Sequence, residues 1–77
     1  MIQYSKEEMA WRLALFIERL EEAAMKKDDT AKVSCKTTFH APIVVYEIDV
    51  YTDSKDDCYV IQYNQFNGQV RFVPATR

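Results

Sequence analysis

The sequence predicts an α+β domain in which one long N-terminal helix packs on a four-stranded antiparallel sheet, in the order α-β-β-β-β. Three observations carry that expectation. Residues 6–27 contain no Gly or Pro and place apolar side chains at helical spacing, residues 33–73 switch to alternation at every second position, and Asn67-Gly68 supplies a hairpin signal.

The helix start is readable from Tyr4-Ser5-Lys6-Glu7-Glu8-Met9. Ser5 is placed to accept from the Glu8 N–H, the Glu8 carboxylate to reach back to the Ser5 N–H, and Tyr4 to pack on Met9 as a hydrophobic staple. Within residues 6–27 Ile17 is the only β-branched residue, and the charges of Lys26 and Lys27 suit the negative helix end. At 100° per residue, Met9, Leu13, Phe16, Ile17, Leu20, Ala23 and Ala24 form one stripe toward the core. Trp11 and Leu15 fall on the far side, beside Glu18 and Glu22, where a second contact surface is expected.

After Asp28-Asp29-Thr30, the residues Val33, Cys35, Thr37 and Phe39 alternate with Lys32, Ser34, Lys36 and Thr38, as in a half-buried strand. His40-Ala41-Pro42 interrupts this run. The next strand, Ile43 to Thr52, turns Val44, Tyr46, Ile48 and Val50 inward and Ile43, Val45, Glu47, Asp49 and Tyr51 outward. A turn over residues 53–57 leads to the third strand, and a two-residue Asn67-Gly68 loop would set Tyr63 opposite Phe72. One face then gathers Tyr59, Ile61, Tyr63, Val70 and Phe72; the other gathers Val60, Gln62, Asn64, Phe66, Arg71 and Val73.

Composition limits the function classes. The chain has 77 residues, 48% of them apolar and 29% charged, with one Gly and two Pro, which describes a single domain over 1–77 rather than a disordered chain. It has no eighteen-residue apolar run and no basic-then-apolar leader, so a soluble cytoplasmic protein is expected. A net charge of -2 argues against nucleic acid or a membrane surface as partner. A core of this size supplies only roughly 3–5 kcal/mol, so another protein or a second copy is the expected partner.

No constellation for catalysis emerges. One His and two separated Cys are too few for a nitrogen and sulfur metal site, and Cys35 and Cys58 are expected on opposite faces and reduced. Asp53, Asp56 and Asp57 lack the spacing, central Gly and terminal Glu of a calcium loop. His40 beside Pro42 reads as a loop residue, Glu47 and Asp49 read as solvated strand positions, and the one glycine is used by the hairpin. An RNA-stacking sheet face built on Tyr51, Phe66, Lys36 and Arg71 is opposed by Glu47 and Asp49. No enzyme activity, cofactor or metal is expected.

The runs Val45-Tyr46-Glu47-Ile48-Asp49-Val50-Tyr51, Cys58-Tyr59-Val60-Ile61-Gln62-Tyr63 and Gly68-Gln69-Val70-Arg71-Phe72 follow one another after a helix and a Lys32-Val33-Ser34-Cys35-Lys36 strand. From about residue 12 onward this order resembles the kinase-associated-1 domain, a C-terminal regulatory module of AMPK-related and checkpoint kinases. The resemblance implies paired strands, a glycine hairpin and a second helix beside the first. Here the sequence ends at Pro74-Ala75-Thr76-Arg77 in place of that helix, which would leave part of the inner sheet face open. The basic cluster with which some members bind anionic lipid has no counterpart.

These readings lead to a non-enzymatic protein-interaction or regulatory module, with self-association among the expected modes. Its expected contact residues are Trp11 and Leu15 on the helix, with Val45, Tyr51, Phe66 and Arg71 as a sheet surface. The alternative is a small acidic inhibitor or immunity-type protein, acting through Asp53, Asp56, Asp57, Glu18 and Glu22.

Overall fold

The helix begins where its capping chemistry places it. In a computed structural model that describes residues 2–73, α1 spans Lys6–Lys27, and the Ser5 hydroxyl accepts from the Glu8 N–H at 3.1 Å. The Glu8 carboxylate turns to Arg12, one turn further on, at 3.3 Å rather than back to Ser5. At the other end the Asp28 N–H donates to the Ala24 carbonyl.

Five strands, not four, form the sheet: β1 (Ile2–Gln3), β2 (Lys32–His40), β3 (Ile43–Tyr51), β4 (Asp56–Asn64) and β5 (Gln69–Val73), all antiparallel and ordered β1-β5-β4-β3-β2. The additional strand is β1. Two residues are too short to show any periodicity; what forms the strand is its pairing with β5, Ile2 opposite Val70, continued by the Tyr4 N–H donating to the Gly68 carbonyl at 2.7 Å.

A second correction concerns the last hairpin. The register sets Tyr63 opposite Val70 and Ile61 opposite Phe72, so residues 65–68 make a four-residue connection in place of the expected two. Asparagine chemistry explains the wider loop. Asn64 Oδ1 accepts from the N–H groups of Phe66 and Asn67, Asn67 Oδ1 accepts from Gln69 N–H, and Gly68 closes the loop with φ 76° and an N–H bond to the Asn64 carbonyl. Because the slip is two residues, every side chain keeps its face. Gln65 and Phe66 change setting, from strand to loop.

The core lies between α1 and the sheet centre. Met9, Ile48, Ile61, Tyr63 and Val70 are buried together, with Tyr4, Leu13, Phe16, Ile17, Leu20, Val33 and Tyr46 packed around them. The inward sets expected for β3 and β4 hold, and Tyr4 joins Met9 as the staple reading requires. Ala23, placed in the core stripe by helical angle, is exposed.

How α1 crosses the sheet decides what remains open. It leaves β1 at one edge and delivers the chain to β2 at the other, so it runs corner to corner. A 22-residue helix is about 33 Å long, close to the diagonal of a sheet of nine-residue strands spaced about 4.8 Å apart. Two opposite corners of the inner face are left beside it. One holds Phe39, 58% exposed, with Thr37 and Cys35; the other holds Phe72, 63% exposed, with Tyr59 and Asp57. Asp57 reaches this face because β4 starts at Asp56 and pairs Asp57 with inward Val50.

Candidate interaction surface

The open corner at Phe72 is walled on one side by α1 and floored by β4 and β5. Phe16 projects from the helix and meets two sheet aromatics edge-on, Tyr59 at 6.1 Å and Phe72 at 6.4 Å between ring centres. On either side of this trio the surface is concave. A hollow of about 130 Å³ lies between Tyr4, Arg12 and Phe72, and a groove of about 300 Å³ runs between Ala23 and Lys27 on α1 and, across from them, Lys55 of the β3–β4 connection with Asp57 and Tyr59 of β4. Together they follow the helix for most of its length.

Trp11 stands at the rim of this surface. It is 52% exposed, and the Arg12 guanidinium lies 4.7 Å from its ring centre and 4.5 Å from that of Tyr4. Arg12 lines the same hollow as Phe72, so Trp11, Arg12, Tyr4, Phe72, Phe16 and Tyr59 are contiguous. Leu15 is half-buried beside them.

The sheet residues singled out from the sequence are not brought together. Val45 and Arg71 share a row of the outer face, separated by Gln62. Tyr51 lies six positions along β3, about 20 Å away, between Lys32 and Asp56. Phe66, 84% exposed, sits at the β4–β5 loop tip. Across the outer face the charges alternate, with Lys36 opposite Glu47, which leaves no apolar field.

Alternation sets Tyr59 and Phe72 on one face with Ile61, Tyr63 and Val70, and sets Phe39 on one face of a half-buried strand. They do lie on the inner face, but alternation reports which face a side chain takes and not whether anything covers it. The signal available in the sequence was area: one helix of about 10 Å diameter cannot roof five strands.

The remaining chemistry is sparse. His40 ends β2 and is exposed; Cys35 is exposed and Cys58 half-buried, both as free thiols. Partial loss of solvent on the inner face pushes the Cys35 thiol up, away from the reactive thiolate, and likewise raises the Tyr46 hydroxyl. The carboxylates of the inhibitor reading are divided between the helix exterior (Glu18, Glu22), the β3–β4 connection (Asp53) and the start of β4 (Asp56, Asp57), where Lys55 pairs with Asp57 at 3.5 Å. Among the described residues no three His, Cys or carboxylate side chains assemble into a metal-binding group, and no helix is long and apolar enough to cross a membrane. No family model, curated protein or solved structure matches the chain.

Proposed function

We propose that the chain is a non-enzymatic protein-interaction module whose contact surface is the open corner between α1 and strands β4 and β5. The observation that carries this reading is the exposure of Phe72 and Tyr59, each lining a hollow beside α1, with exposed Trp11 at the rim across Arg12. Those three rings leave on the order of 300 Å² of aromatic surface in water, as much as the largest patch on many monomers. Aromatic side chains beside an arginine are also the composition of binding hot spots. The helix pair Trp11 and Leu15 belongs to this surface; Val45, Tyr51, Phe66 and Arg71 do not join it.

A benzophenone side chain at position 72, with exposed position 36 on the outer sheet face as control, tests the reading in the cells that make the protein. A discrete adduct with another protein from position 72 and none from position 36 is the expected result. Equal labelling from both positions would refute it.

A further inference from the structure

We infer that β2 pairs antiparallel with β2 of a second copy about a two-fold axis, a contact distinct from the open corner at Phe72. The two edges of the sheet differ. One is β1, two residues long; the other is β2, nine residues with no Pro. β3 pairs with β2 along its whole length on one side, so on the other side alternate residues direct their N–H and C=O groups to water. A contact made by two copies of the same long edge closes as a dimer, because the short β1 left at each end of the joined sheet offers little to extend it.

Side-chain chemistry selects the register. Full overlap would centre the two-fold on Lys36 and set two lysines directly opposite each other, which like charges oppose. A slip of one residue would mismatch the two faces. A slip of two toward the β2–β3 turn centres the axis on Thr37. Thr37 then faces its own counterpart, Lys36 faces Thr38, Ser34 faces His40 and Cys35 faces Phe39, while Glu47 of β3 stays beside Lys36. Threonine pairs across strands are favourable, and no like charges stand opposite. The reverse slip would set Phe39 against Ala31, which is buried where α1 joins β2.

The same two-fold joins unlike ends of β2, which is what calls for a second copy rather than an unrelated extended segment. α1 arrives over the Lys32 end and leaves Phe39 exposed at the other. Antiparallel pairing lays Phe39 of one copy against Cys35 of the other and brings it toward the last turn of that copy's α1, where Met25 is exposed. A lone strand would supply the backbone bonds but no helix end over the open ring. Residues 34–40 stay paired in this register, giving about six to eight backbone hydrogen bonds.

Thr37 is exposed in the single chain, so a charge there tests the contact without disturbing the core. Light scattering over a concentration series, in reductant to exclude disulfides, should show the wild-type chain passing from monomer to dimer. Thr37→Lys and Thr37→Glu should each remain monomeric, with the circular dichroism of the folded chain unchanged, because an inward charge would face its like across the axis. An equimolar mixture of the two variants should dimerise again, since opposite charges then meet. A wild-type chain that is monomeric at every concentration overturns the inference. So does a dimer that survives both charged variants, or one that Phe72→Asp alone abolishes. A dimer lost in each variant and not restored on mixing overturns the two-fold at Thr37.

Discussion

The Tyr63 hydroxyl donates to the backbone carbonyl of Tyr4 at 2.9 Å, across fifty-nine positions of sequence. This bond satisfies the one polar atom of a side chain that is otherwise buried in the core, and it fixes the residue that precedes the helix cap. Tyr63→Phe should therefore cost about 1–2 kcal/mol in urea unfolding, with the slope against denaturant unchanged. Tyr63→Ala should cost about 3–5 kcal/mol because it adds a cavity. A neutral Tyr63→Phe would show that the hydroxyl bond does not hold the N-terminal segment.

Gly68 faces the same carbonyl from the other side. A Cβ there would sit 2.5 Å from the Tyr4 oxygen, and the backbone is in the left-handed region at φ 76°. Both effects oppose any side chain, so Gly68→Ala should destabilise by at least about 2 kcal/mol. Amide exchange should localise the damage to β1 and the β4–β5 loop.

Exposed and buried apolar residues should separate cleanly. Ile48 is fully buried, and Ile48→Ala should cost about 2–5 kcal/mol. Trp11→Ala should change stability by less than about 1 kcal/mol while weakening partner binding. A loss comparable to that of Ile48→Ala would assign Trp11 to the core instead.

Asp28 gives a pH dependence of defined sign. The Thr30 hydroxyl and then the Thr30 N–H bond its carboxylate and hold its pKa below the ordinary aspartate value. A depressed folded-state pKa stabilises the protein above the ordinary value, and that contribution is lost as pH falls through the depressed one. The carbon-detected titration of Asp28 should show a lowered midpoint, and Thr30→Val should move it upward. No movement would mean that the hydroxyl bond is absent in solution.

Much of this architecture was legible from residues because local chemistry determined it. Ser5, the absence of Gly and Pro, and Lys26-Lys27 mark α1, and the alternation through Val44, Tyr46, Ile48 and Val50 marks β3. What was not legible depends on contacts distant in sequence. β1 exists only because Val70 and Gly68 offer it a partner, and the wider last loop follows from two asparagine side chains capping it. The candidate surface was half legible: Trp11 stands out on the helix wheel, whereas Phe72 and Tyr59 carry a core pattern and are exposed only because α1 crosses on the diagonal.

The pairing of Ile2 with Val70 joins nearly the two ends of the described chain. Strands β2 to β5 form a meander of neighbouring hairpins, each closing a short loop, whereas β1 must wait for the longest loop in the molecule to close. Loop-closure entropy therefore favours assembly of the meander before β1 docks. The same order reversed makes β1 the first element to open, so the shortest strand sets the free energy at which the helix start and the Tyr4 side of the aromatic patch become accessible together.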